Sequence, residues 1–225
     1  MGIVLLIIGS RIFSQSAHME NASLQRLKVD SLVNNLNENS KKSLKEFYKK
    51  VFAMDSLAEE GLLMNMNRKL SLEKKSVLSH ALVYVSKSSI LNELVHAYRQ
   101  AQDTLTRDMI VYTILGARYK FNQTSDLSLK PNKEIFPILF ETLTDTLDIS
   151  RIAEVIKKIN GIAWLAIVKW GGFNDLKTTF ARDFLGASFN EKKRVQSELL
   201  EWWKKNGQNV YWDKKIKMFT LVGNR

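Results

Sequence analysis

Three successive stretches of the chain repeat one apolar spacing. Val77, Leu78, Ala81, Leu82 and Val85 fall at i, i+1, i+4, i+5 and i+8; Ile90, Leu91, Leu94, Val95 and Tyr98 repeat it; Met109, Ile110, Thr113, Ile114 and Ala117 form a third copy. At 3.6 residues per turn this spacing draws a broad apolar stripe along one side of a helix, wide enough to bury against two neighbours. The links between copies are short, which makes successive helices antiparallel. Only two prolines, Pro131 and Pro137, interrupt the 225 residues, so little in the backbone opposes long helical runs.

The same period extends to both sides. Leu24, Leu27, Leu32 and Leu36 predict a first apolar face, and Leu44, Phe47, Tyr48, Val51 and Phe52 a second. Between Asp55 and Leu70, Gly61 and the Asn65-Met66-Asn67 run weaken a continuous helix. Ser88 or Ser89 is placed to cap the helix that follows. Phe121 to Lys130 reads as a polar interruption, after which Pro131 suits a first helical turn. The next helix carries Phe136, Leu139, Phe140, Leu143 and Leu147, with Pro137 in its first turns or at its start. A further one spans Ser150 to Trp170 and ends at Gly171-Gly172. The last runs from about Asn190 to Lys205 and stops at Asn206-Gly207, read as a left-handed cap. Beyond it, Val210 to Val222 predicts an extended tail or weak hairpin turning at Asp213-Lys214-Lys215.

Three of the five tryptophans cluster near the end, in Leu200-Glu201-Trp202-Trp203-Lys204-Lys205 and Val210-Tyr211-Trp212-Asp213, with Phe219 beyond. We read Trp202, Trp203, Tyr211, Trp212 and Phe219 as a structural layer that closes the open end of a helix stack. The expected fold is therefore all-α: stacked antiparallel helix pairs, as a solenoid or an irregular bundle, with a short extended C-terminal tail. The recurrence over residues 72–220 resembles helical-repeat proteins of the HEAT type, whose units are about 40 residues long. The Trp-Trp-Lys-Lys-Asn ending, the Tyr-Trp-Asp step and the lone Phe look like segments that follow HEAT-like repeats in exported bacterial proteins. That resemblance implies a fold and a habit of binding, and it supplies no catalytic residues.

Compartment is read from the N-terminus. Ile3-Val4-Leu5-Leu6-Ile7-Ile8 is followed by Gly9, Ser10 and small or polar residues around Ser14, Ser16 and Ala17, which resembles a secretory signal. No Lys or Arg precedes the run, and Arg11 follows it closely. The run is too short to span a bilayer, which takes about 20 apolar residues. We divide the chain into a signal peptide, residues 1–17, and one helical domain, residues 18–225, exported to the periplasm or secreted. The absence of cysteine removes disulfides, thiolate nucleophiles and zinc–thiolate sites.

The net charge of +11 points toward acidic partners such as nucleic acid or anionic lipid. Lys41, Lys42, Lys45, Lys49 and Lys50 make one group; Lys192, Lys193, Arg194, Lys204, Lys205, Lys214, Lys215 and Lys217 make another. Both alternate with apolar residues, as on the solvated side of amphipathic elements.

Signals for catalysis are weak. Of the three histidines, His18 falls near the processed terminus, and His80 and His96 lie on separate helices. Glu93 and His96 form a single Glu-x-x-His, whereas di-iron bundles need two. There is no Gly-x-Ser-x-Gly elbow, and Gly171-Gly172 and Gly186-Ala187 lack phosphate-loop spacing. The pairs Glu59-Glu60 and Asp145 with Asp148 sit at surface helical spacing. DNA glycosylases built on HEAT-like repeats resemble this chain in size and charge, yet here the acid nearest the indole pair is Glu201 on its N-terminal side, and the pair lies at the chain end. We expect no catalytic residue, cofactor or metal, and a non-enzymatic exported scaffold that binds a protein or envelope partner. The alternative is a cytoplasmic nucleic-acid binder related to those glycosylases.

Overall fold

The computed structural model describes residues 20, 22–86, 90–123, 132–147, 163, 164, 167, 171, 184, 186–216 and 218–222, with backbone alone over 117–123. Residues 1–17, expected to be a signal peptide, together with His18, Ser88, Ser89, Pro131, Asp148, Trp170, Gly172, Lys217 and most of the stretch expected as a Ser150–Trp170 helix, lie outside these residues.

Within them the architecture is helical: α1 (residues 22–34), α2 (Lys41–Met54), α3 (Glu59–Met66), α4 (Leu72–Val85), α5 (Ile90–Gln100), α6 (Thr104–Gln123), α7 (Ile135–Glu141) and α8 (Phe189–Asn206). An antiparallel hairpin, β1 (Val210–Asp213) and β2 (Met218–Leu221), closes the sequence. The repeated stripes are the core of α4 and α5, where Val77, Leu78, Ala81, Leu82, Val85, Ile90, Leu91, Leu94, Val95 and Tyr98 are all buried. In α6, Met109, Ile110, Thr113 and Ile114 are buried as well. That helix continues to Gln123, into the stretch read as an interruption.

The helices alternate in direction, so every second one is parallel. Glu38 binds Ser71 and Lys74 near the starts of α2 and α4, and Phe52 meets Tyr84 near their ends. Along α4 and α6, Lys75 reaches Thr106 and Ser79 reaches Thr113. So α2, α4 and α6 run side by side in one direction. Likewise Arg26–Glu60, Asp30–Asn65 and Asn34–Arg68 (through Asn65 and Asn34 oxygens) set α1 parallel to α3.

Further local expectations change. The buried stripe of α1 is Val29, Val33 and Leu36, whereas Leu24 and Leu27 are 50% and 62% exposed. On the helical wheel those leucines lie roughly opposite Val29. Gly61 does not break α3; it lets α1 approach, because a Cβ there would stand 2.8 Å from Val29 Cβ. Pro137 is the third residue of α7, where its missing amide falls among the first-turn donors that have no intrahelical acceptor.

α8 begins at Ser188, whose side chain accepts from the Glu191 amide, the reciprocal spacing of a capping box. At its other end Gly207 has φ −57, right-handed, and the chain passes on into a 3-10 turn. The left-handed cap is therefore a misreading. Glycine is required for space, since a Cβ would lie 2.8 Å from Trp203 Cε2.

Candidate ligand-binding face

The parallel helices α2, α4 and α6 carry aromatic residues at matching levels on their outer side. Phe52 of α2 stacks on Tyr84 of α4 with ring centroids 3.8 Å apart, and Tyr48 leans on Phe52 at 5.4 Å. One level along, His80 of α4 meets Tyr112 of α6 edge-on at 5.8 Å, with 3.1 Å between Nε2 and the phenol oxygen. Tight packing beneath holds the rings in register. Ser79 and Thr113 share a buried hydrogen bond of 2.7 Å, and a Cβ on Gly116 would lie 3.0 Å from Val83 Cγ2.

The helical repeat explains the row: Tyr48 and Phe52 are i and i+4 on α2, as His80 and Tyr84 are on α4. Burial pushes the Tyr48 and Tyr112 phenols up, with Tyr112 adding to the effect on Tyr48, and pushes His80 down. His80 is thus neutral at pH 7. Tyr84 stays 61% exposed.

Beside the rings runs a file of cations. Lys41, Lys45 and Lys49 are exposed and make no ion pair among the described residues. On a helical wheel positions 41, 45, 48, 49 and 52 occupy an arc of roughly 100°. Lys50, by contrast, is paired with Glu46 at 2.8 Å. The surface thus joins partly sheltered rings, phenol hydroxyls and unpaired ammonium groups. It can hold a ligand that is apolar on one side and anionic on the other. Sequence periodicity had placed Tyr48 and Phe52 in a core stripe; both are only half-buried. The signal that would have found the face is the i, i+4 aromatic pairing on two helices.

The C-terminal aromatics lie elsewhere. Trp203 packs on Phe136 and Phe140 of α7 at 5.7 and 6.2 Å, with Trp202 6.4 Å from it. Phe219 is buried, meeting Phe136 at 5.0 Å and its cross-strand partner Trp212 at 5.1 Å. Tyr211 pairs with Thr220 on the hairpin and is half-buried. Gln196 donates to the Phe140 and Glu141 carbonyls, and Lys133 to those of Gly207 and Gln208, tying α7 to α8. Trp164 is buried and stacks on Phe184 at 4.6 Å.

Remaining candidates disperse. Glu93 and His96 are both exposed on α5, Glu60 pairs with Arg26, and Asp145 meets Asp108 of α6. Of the second group, Lys192, Lys193, Arg194, Lys204 and Lys205 sit on α8, and Lys214 and Lys215 in the hairpin turn. α8 packs on α7, with α5, α6 and α4 intervening in the contact order before α2. Among the described residues no group of three or more acidic or histidine side chains is placed to hold a metal, and no helix is long and apolar enough to cross a membrane. No family model, curated protein or solved structure matches the chain.

Proposed function

We propose that this chain is a non-enzymatic helical scaffold that binds a protein or envelope partner through the outer face of α2, α4 and α6. The observation that carries the reading is the row of Tyr48, Phe52, Tyr84, His80 and Tyr112 bordered by three unpaired lysines. Rigid, packed helices present such a row without rearrangement, and side chains on the outer face vary without touching the core. Aromatic residues with polar tips are the usual anchors of protein interfaces. Function outside the cytoplasm is supported by the Ile3–Ile8 run and the small residues after it.

The nucleic-acid alternative draws on the net charge. Its weight falls because the two lysine groups sit on elements far apart in the packing order, whereas phosphate backbones need cations along one continuous groove.

Photo-crosslinking in the native host tests the scaffold reading. Benzoylphenylalanine at position 84 should yield a discrete adduct, and the same probe at exposed position 96 of α5 should not. Equal labelling from both positions, or none from 84, removes the proposal. Sequencing of the mature N-terminus tests export: a new terminus near Ser16 supports it, and intact Met1 in a cytosolic fraction counts against it.

A further inference from the structure

We infer that the ligand of this face is an extended, acidic segment of a protein in which carboxylates alternate with apolar side chains. The inference rests on the binding role proposed above and concerns what the face would accept.

Spacing is the first argument. Lys41, Lys45 and Lys49 follow one another every four residues of α2, about 6 Å apart at 1.5 Å per residue. Alternate side chains of an extended strand are about 6.6 Å apart. A strand laid along α2 therefore brings a carboxylate to each lysine over three repeats with little accumulated mismatch. Its intervening side chains point to the other side, as period-two geometry requires. That side is the valley between α2 and α4, where Tyr48, Phe52 and Tyr84 stand.

Charge is the second argument. The three ammonium groups form no ion pair among the described residues, although Lys49 stands near enough to Glu46 to help lower its pKa. Across the valley His80, on the exposed side of α4 and with its pKa lowered by partial desolvation, adds no competing charge at pH 7. Cations on one edge and rings on the other suit a ligand charged along one edge.

The test measures fluorescence anisotropy of a labelled Glu-Val alternating octapeptide with the full chain at low salt. Comparators are the same composition in block order and an oligothymidylate of matched charge. The alternating peptide should bind about tenfold more tightly than the block peptide, the size of effect that register-matched charge provides. Combined Lys41→Glu, Lys45→Glu and Lys49→Glu should abolish binding, and Tyr84→Ala should weaken it severalfold. Lys204→Glu with Lys205→Glu on α8 should leave it unchanged. All of these side chains are exposed, and circular dichroism verifies that each variant is folded. Equal binding of block and alternating peptides, preference for the oligothymidylate, or an equal loss in the α8 variant would overturn the inference. A crosslink at position 84 without peptide binding rejects this ligand class and leaves the scaffold reading standing; loss of both rejects both.

Discussion

The buried Asp108 of α6 and the half-buried Asp145, which follows α7, meet carboxyl to carboxyl. Asp108 is only 2% exposed, and its Oδ1 finds no partner among the described residues. Burial first, then the hydrogen bond and charge of Asp145, push Asp108 up from 3.8 to about 8. Asp145 is raised as well, again by burial, while the bond from Asp108 pulls the other way. At neutral pH Asp108 is therefore the protonated partner, donating to Asp145.

A pH dependence follows. Between about pH 3.8 and 8 the folded protein holds a proton that the unfolded chain has released. The pair's contribution to stability is complete below that window and declines as pH rises through it. Asp108→Asn donates to Asp145 without needing a proton. Its unfolding free energy from urea titration should therefore be flatter with pH and exceed that of wild type above about pH 8, by on the order of 2 kcal/mol. Parallel curves for the two proteins from mildly acidic to alkaline pH would refute the proton-sharing arrangement.

Lys75 is 1% exposed. Its ammonium donates to the Met66 and Arg68 carbonyls at 2.7 and 2.9 Å and to Thr106 Oγ1 at 2.5 Å. Burial lowers its pKa while Asp103 opposes the shift. Lys75→Met fills the volume but strands the carbonyls that end α3, and should cost about 2–4 kcal/mol. An unchanged denaturation midpoint would mean that water serves those carbonyls equally well.

Gly61 offers a cleaner geometric test. Gly61→Ala should destabilise by about 1–3 kcal/mol through overpacking against Val29. In the Val29→Ala background the same change should cost much less, a coupling read by a double-mutant cycle. Additive losses would show that α1 and α3 can move apart freely.

Trp203→Ala should cost about 3 kcal/mol, as removal of a packed aromatic does. Trp202 is half-buried on the same helix, and its truncation should also lower stability. Gly207→Ala, crowded by the Trp203 indole, should be tolerated better once that indole is gone. Thermal denaturation of the three variants and the double variant decides.

The apolar stripe of α5 was legible because one side of that helix is apolar and the other is not; α4 and α6 were legible only from the repeated spacing, since both also bury polar side chains such as Lys75, Ser79 and Thr113. α1 was misread because it carries apolar residues on two sides. Leu24 and Leu27 outweigh Val29 and Val33 by size, and nothing within the helix says which side meets α3. Gly61 and Gly207 were read for backbone freedom, yet both serve close approach by a distant or neighbouring side chain, information that sits in tertiary packing. The Asp108–Asp145 contact and the Lys75 site have no local signature. The aromatic row was half visible: Tyr48 and Phe52 were noted as a stripe, but only the parallel placement of α2, α4 and α6 brings Tyr84 and Tyr112 beside them.

Ser40, Ser71 and Asp103 cap the first turns of α2, α4 and α6, each side chain accepting an amide hydrogen bond. Since those helices point the same way, all three caps stand at one rim, and the peptide dipoles beneath them add instead of cancelling. The rim where these helices begin therefore carries partial positive charge from their free amides, which the Asp103 and Glu38 carboxylates partly offset. A strand settling along α2 would feel that axial field and prefer one polarity, its carboxyl terminus toward the rim where the helices begin.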